Sequence, residues 1–179
     1  MPRMPSRPGA SAAIFRANRL SAFGPVPSED DVVRSLLDAT LPLMQAPPVN
    51  LGVICEWLGI EVYTQPCHSF GALFIVREGK GILLVNSAMA QGRARFSIAH
   101  ELGHLLLRHD PVGRIGDPRD PVQERQADQF ASELLMPASL LRHDRDSLSL
   151  STLCRRYRVS QQAMRIRLER LGCEPVPMR

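Results

Sequence analysis

The sequence predicts an α+β fold, in which a small, mainly antiparallel three-stranded sheet packs on a central helix and on further helices. Three stretches, "IEVYTQ", "GALFIV" and "GILLVN", alternate or run apolar between turn residues, as short strands do. The stretch "RFSIAHELGHLLLRHD" at 95–110 carries a broad apolar stripe at helical spacing. Near the end, "LSTLCRRYRVSQQAMRIRLERLG" is typical of a helix, a turn and a second helix. We therefore expect one sheet, one central helix and a helix-turn-helix-like segment.

Length and composition are those of one globular domain: 179 residues, of which 44% are apolar. The four cysteines form neither a Cys-x-x-Cys pair nor a disulfide framework. The first 30 residues lack the apolar core of a signal peptide, and no apolar run approaches the roughly 20 residues that span a bilayer. These features predict a reduced, cytoplasmic protein with no membrane association. Only residue type supports Cys67 and its neighbour His68 as metal ligands.

Composition also divides the chain into four parts. Residues 1–27 are rich in Pro, Ser, Ala and Arg, which predicts a disordered arm. The main domain is expected over 28–142, the helix-turn-helix-like segment over 143–172 and a short tail over 173–179.

Two helices are predicted before the sheet. Ser28 is a candidate cap for the first helix, with Asp31 at its third position, and this helix should end before Pro42. Asn50 is a candidate cap for the second helix, "LGVICEWLG", which Gly59 should stop.

The three predicted strands follow at once. The second and third flank "REGK", a hairpin turn that contains glycine. The outermost strand of the sheet should present unpaired N–H and C=O groups beside the central helix. An extended peptide could pair with that edge.

The central helix contains the pattern His-Glu-x-x-His. His100 and His104 are four residues apart, so both project from one helix face and can reach one metal ion. Glu101 lies off that face, where it can reach a metal-bound water as a base. Gly103 is unfavourable inside a helix by about 1 kcal/mol relative to Ala, which suggests close approach by another backbone. The alternative is a pair of core histidines without a metal.

The next helix offers a third ligand. Residues 110–119 are loop-like, and a helix should begin near Asp120 with Pro121 in its first turn. Glu124 would complete a site of two histidines and one glutamate, and leave the fourth position for water. Asp128, one turn further on, could accept the outer N–H of a ligand histidine. Alternatively, both acids face solvent. The rival third ligands are Glu133, His109 and His143.

The C-terminal segment is basic, with eight arginines against three acids between residues 142 and 170. Val159 and Ser160 should form its turn, and Ser160 should cap the last helix. Helical spacing predicts three inward-facing side chains, Met164, Leu168 and Leu171. It leaves three arginines more exposed, Arg165, Arg167 and Arg170. A solvated face, a DNA-binding surface and a protein-docking surface all fit such charges. We favour docking, with at most weak, non-specific nucleic-acid binding.

Three stretches together, "RFSIAHELGHLLLRH", "ERQADQFASELLMP" and "RRYRVSQQAMRIRLERLG", resemble the ImmA/IrrE family of metallopeptidases. The resemblance covers roughly residues 30–172 and implies a zincin-like fold. It implies zinc held by His100, His104 and Glu124, with Glu101 as the catalytic base. It also implies an intracellular regulatory peptidase that cleaves a helix-turn-helix repressor of the XRE type, or an antitoxin. The family often has Asn where this chain has Asp128, and either side chain offers an acceptor oxygen.

The predicted function is therefore a zinc-dependent, site-specific endopeptidase that uses a zinc-bound water activated by Glu101. A second donor to the oxyanion is commonly needed, and four residues are open candidates. They are Tyr157, His143, Arg142 and Tyr63. The alternative function is a non-proteolytic DNA- or protein-binding regulator with a structural or vestigial zinc site. The intact Glu101 favours the peptidase, because a structural zinc site has no use for that carboxylate.

Overall fold

The computed structural model describes residues 29–40, 46–109, 120–145 and 147–173. The predicted arm 1–27, the predicted cap Ser28, the predicted loop 110–119 and nearly all of the predicted tail lie outside the described residues. The boundaries proposed at 142 and 172 stay predictions. One hydrophobic core nevertheless includes side chains from Val32 through to Cys173.

The described elements follow one another in the predicted order. They are α1 (Glu29–Thr40), α2 (Leu51–Leu58), β1 (Ile60–Gln65), β2 (Ala72–Arg77), β3 (Lys80–Asn86), α3 (Gln91–Leu106), α4 (Pro121–Leu135), α5 (Ala138–Arg145), α6 (Leu150–Tyr157) and α7 (Gln161–Arg170). Among these described helices, none is both long enough and apolar enough to cross a membrane.

The α+β class is confirmed, and the sheet is mixed. Its strand order is β1-β3-β2, with β3 in the middle. β2 and β3 pair antiparallel through the predicted hairpin, whose Glu78 and Gly79 both have positive φ angles of 52° and 74°. β1 runs parallel to β3, so only one of the two pairings is antiparallel. Within the part of the chain that the structure describes, β1 and β2 are therefore the two edges of the sheet.

One face of the sheet packs on the helices. Its buried side chains include Leu83 and Val85 of β3, and α3 contributes Ala99 and Leu102 to the same core. α3 contacts β2 and β3 on one side and α4 on the other. This places the His-Glu-x-x-His helix between an edge strand and the helix that offers the acidic ligand.

α3 and α4 approach each other closely at Gly103, as its position in the motif suggested. A Cβ atom added there would lie 3.1 Å from Ala127 Cα and 3.3 Å from Ala127 O. It would also lie 3.1 Å from a ring carbon of the buried Phe130. A backbone neighbour moves aside less easily than a flexible side chain, so alanine would fit only if the two helices shifted by a few tenths of an ångström.

Gly103→Ala should therefore destabilise the protein although alanine is the better helix former. Overpacking costs about 1–3 kcal/mol and the gain in helix propensity returns at most about 1 kcal/mol. We expect the free energy of unfolding to fall by up to about 2 kcal/mol in a urea titration. Unchanged or higher stability would show that the helices separate easily at this crossing.

The C-terminal helices confirm the predicted turn and cap. Ser160 accepts a hydrogen bond from Ala163 N at 3.1 Å, and Met164 and Leu168 are fully buried. Leu171 is partly buried. The segment therefore docks its apolar face on the rest of the protein.

The prediction for Arg167 is wrong. Arg167 is only 6% exposed. Its Nε donates to the Met136 carbonyl at 3.1 Å, and its guanidinium pairs with Glu133. Arg167 thus fastens α7 to the end of α4 and is not available to a substrate. Arg165 and Arg170 are exposed, as expected.

Candidate metal centre

Three side chains from two helices converge at the crossing of α3 and α4. His100 Nε2 lies 3.3 Å from one carboxylate oxygen of Glu124, and His104 Nε2 lies 3.1 Å from the other. The two Nε2 atoms are 3.0 Å apart. Within the ranges that the structure describes, these residues form the one cluster with metal-ligand geometry, and Cys67 and His68 are not part of it.

The cluster fits a small divalent cation. Two zinc–nitrogen bonds of about 2.0–2.1 Å at a tetrahedral angle place their nitrogens roughly 3.3 Å apart. The observed separations of 3.0–3.3 Å are close to that value. The Glu124 side chain is 37% exposed, against 15% and 13% for the two histidines, so one side of the cluster opens to solvent. The group could therefore bind a metal ion and keep a coordination position for water.

Local sequence positions each ligand. The histidines sit one turn apart on α3, and Gly103 beside His104 lets α4 come close. Asp120 caps α4 by accepting from Val122 N at 2.7 Å, which places Glu124 in the first turn. A carboxylate is favoured there by the positive end of the helix dipole.

The outer nitrogen of His100 meets the predicted acceptor. His100 Nδ1 lies 2.8 Å from Asp128 Oδ1, and the Asp128 side chain is 55% exposed. Its role behind the metal ligand stays a prediction. Asp128 occupies the next turn of α4 after Glu124, so one helix reaches both nitrogens of the same imidazole.

The outer nitrogen of His104 meets a residue that the sequence offered only as a rival ligand. His109 Nδ1 lies 2.9 Å from His104 Nδ1, and His109 Nε2 lies 3.2 Å from Gln126 Oε1. His109 is therefore behind the cluster and not in it. Sequence reasoning missed Gln126, because its contact depends on how α3 crosses α4.

The other rival ligands are elsewhere. Glu133 pairs with Arg167 and accepts from Ala138 N at 3.2 Å. His143 is exposed on α5 and is not a member of the cluster.

Glu101 is close to the edge of the sheet. The residue is 7% exposed, and its Oε2 accepts a hydrogen bond from the backbone N–H of Phe74 on β2 at 3.4 Å. The carboxylate is thus held between the metal-cluster helix and the edge strand predicted to receive a peptide.

Two oxyanion candidates lie in unsuitable places. Tyr157 is fully buried and donates to Asp144 at 2.9 Å. Burial and then the bond to Asp144 raise the pKa of Tyr157. That phenol belongs to the core and cannot reach a substrate. Tyr63 lies on β1, two strands away from the β2 edge, and donates to Glu61 at 2.9 Å.

A cleft of about 630 Å³ adjoins the cluster. It lies between α3, α4 and α7, and Asp128 is among its lining residues. Phe96 and Ile166 provide apolar surface, and Arg93 and Arg170 provide positive charge. Ile166 is 42% exposed. The cleft therefore combines apolar and cationic surface beside Asp128, which contacts His100 of the cluster.

A family model and the solved structures both match this chain, and they support different conclusions. The family model described as IrrE N-terminal-like domain, Peptidase_M78, matches residues 55–169. The structure of a Mycobacterium tuberculosis transcriptional regulator superposes with a TM-score of 0.55 at 15% identity. It covers 92% of this chain, which spans 52% of that protein's length. Identity this low shows a shared fold alone. No curated protein matches significantly.

Proposed function

Because the chain belongs to the Peptidase_M78 family of IrrE N-terminal-like domains, we propose that it is a zinc-dependent endopeptidase. Its proposed substrate is a helix-turn-helix repressor of the XRE type, or an antitoxin, cleaved at one site. The observation that carries the proposal is the convergence of His100, His104 and Glu124, with the buried Glu101 next to His100 on the same helix.

The donor set favours zinc as the metal. Two imidazole nitrogens and one carboxylate are the ligands of many catalytic zinc sites, which hold the fourth position open. Zinc bound there would act as a Lewis acid toward water and the peptide carbonyl. The chain's own contribution is to hold three donors at fixed separations on two tightly crossed helices.

Glu101 is the proposed general base and acid. It would accept a proton from the attacking water and deliver it to the leaving amine. The backbone N–H of Phe74 donates to one carboxylate oxygen of Glu101. This hydrogen bond orients the Glu101 side chain before the reaction begins. Burial excludes bulk water that would compete for the proton.

We propose that the substrate segment that contains the scissile bond lies along the β2 edge. Among the described strands, β2 pairs only with β3, and Val76 of β2 is 58% exposed. An extended peptide that adds to this edge would make backbone hydrogen bonds with little demand on sequence. Selectivity for one protein then has to come from a second contact outside the edge.

The cleft beside α7 is the proposed second contact. Ile166 and Phe96 can hold an apolar side chain, and Arg93 and Arg170 can attract acidic groups. Arg165 extends the positive surface on the same helix. A folded repressor could bind at this cleft while one of its extended segments pairs with the edge of β2.

The direct test of the function is cleavage of a purified protein. A helix-turn-helix repressor encoded beside this gene is incubated with the zinc-loaded parent and with Glu101→Gln, and the products are identified by mass spectrometry. One new pair of termini with the parent alone supports the proposal. An intact repressor with both proteins contradicts it.

The double variant Arg165→Ala, Arg170→Ala should separate docking from chemistry. Exposed ion pairs contribute at most about 1 kcal/mol each, so KM for the repressor should rise about 3- to 30-fold. Zinc content and cleavage of a short peptide spanning the same bond should not change. Arg34→Ala, Arg155→Ala, which removes equal charge from exposed positions on other helices, is the matched control.

The same variants test the alternative function as a DNA-binding regulator. α6 and α7 form a helix-turn-helix-like pair with Arg165 exposed on the second helix. Tight, sequence-specific DNA binding at physiological salt, lost in Arg165→Ala, Arg170→Ala, would favour that regulator. Weak binding that fades steeply with salt would reflect phosphate contacts alone.

A further inference from the structure

We propose that His109 and Gln126 are positioning residues for the metal site. His109 accepts a hydrogen bond from the outer N–H of His104 and donates one to Gln126. This chain keeps His104 Nε2 directed at the metal. This inference rests on the proposed function, since it concerns how one ligand of that site is held.

The chain is continuous in the structure. His104 Nδ1 lies 2.9 Å from His109 Nδ1, and His109 Nε2 lies 3.2 Å from Gln126 Oε1. The two imidazole rings meet edge to face, with centroids 4.9 Å apart and an angle of 74° between the planes.

The placement of His109 is fixed by the end of α3. Arg108 adopts a left-handed conformation with a φ of 58°, which turns the chain back on the helix. The backbone N–H of His109 then donates to the carbonyl of His104 at 3.0 Å. The backbone at the end of α3 therefore brings His109 next to His104, independently of any side-chain contact.

Only one arrangement of protons lets His104 bind a metal through Nε2. A neutral imidazole has one nitrogen that donates and one that accepts. Nε2 of His104 must present its lone pair, so Nδ1 carries the hydrogen and donates to His109 Nδ1. His109 then carries its own hydrogen on Nε2 and donates it to the carbonyl oxygen of Gln126.

The opposite arrangement requires a different orientation of Gln126. If His104 held its proton on Nε2, its Nδ1 would have to accept from His109 Nδ1–H. His109 Nε2 would then need a donor, so the Gln126 amide would have to turn and present its N–H groups. The orientation in the structure, with Oε1 toward His109, fits the tautomer that His104 needs to bind a metal through Nε2.

The two ligand histidines are consequently held by different groups. His100 uses the half-exposed carboxylate of Asp128, whereas His104 uses an imidazole and an amide. A carboxylate behind a ligand also adds negative charge to the site. A chain of imidazole and amide sets the direction of His104 without a carboxylate.

The test measures zinc affinity by competition with a chelator. Gln126→Leu and His109→Phe keep volume but remove the acceptors, and each should weaken zinc binding about 10- to 100-fold. Gln126→Glu, which can only accept in its ionised form, should restore affinity to within about threefold of the parent. Gln129→Leu, an exposed glutamine on the same helix, is the matched control and should bind as the parent does.

A spectroscopic measurement separates hydrogen bonding from packing. Long-range ¹H–¹⁵N correlation spectra of the zinc-loaded parent should show His109 with its hydrogen on Nε2 and an accepting Nδ1. A hydrogen on His109 Nδ1, or parent-like affinity in Gln126→Leu and His109→Phe, would overturn the inference. If the parent binds zinc no better than Glu124→Ala, the proposed site itself fails, and the inference fails with it.

Discussion

Glu101→Gln should slow repressor cleavage by at least about 100-fold, the lower range for loss of a general base. Glutamine has the shape of glutamate, and its amide oxygen can still accept from the backbone of Phe74, where Glu101 Oε2 now accepts at 3.4 Å. An amide cannot take a proton from water at neutral pH. The folded structure should therefore survive while the proton transfer is lost, as rates measured by gel densitometry would show.

Zinc content must remain unchanged for this result to bear on catalysis. Glu101 is not one of the three residues whose donor atoms converge, so Glu101→Gln should still carry about one zinc per chain. Glu61→Gln, which removes an acid from the surface of β1, should cleave at the parent rate. Undiminished cleavage by Glu101→Gln would remove Glu101 from the role of base, and loss of zinc would give it a structural role.

Glu124→Ala should abolish stoichiometric zinc binding, the second large effect. The substitution removes the oxygen donor of the cluster and leaves two histidines, fewer than the three protein ligands of a catalytic zinc site. The parent should contain about one zinc per chain by elemental analysis, and Glu124→Ala well below that. His100→Ala and His104→Ala should behave in the same way.

Thermal unfolding gives an independent readout of the same change. A ligand that binds only the folded state stabilises it by about 2.7 kcal/mol at a free concentration 100 times its Kd. Added zinc should therefore raise the Tm of the parent and not that of Glu124→Ala. If Glu124→Ala holds zinc as tightly as the parent, another residue is the third ligand.

The sequence alone determined what depends on spacing along one element. Residues four apart on a helix share a face, so His100 and His104 had to lie together once α3 formed. The Asn50 and Ser160 caps and the hairpin turn at Gly79 were equally local, because each contact spans only a few residues. These features do not depend on what packs against the element.

Tertiary structure decided which elements meet. The parallel pairing of β1 with β3 requires strands that are separated by β2 in the chain, and no turn signal encodes it. Arg167 looked exposed by helical spacing, yet α7 docks so that its guanidinium meets Glu133. A helix pattern states which residues share a face, but not which face is covered.

The candidate site shows the same division at atomic scale. The motif on α3 supplied two histidines, and the acids of α4 were recognisable by their four-residue spacing. The pairing of His104 with His109 and of His109 with Gln126 arises only where Gly103 lets α4 approach and Arg108 reverses the chain. Hydrogen bonds act over about 3 Å, so they are fixed by the crossing of two helices, which is a property of the packed core and not of either segment.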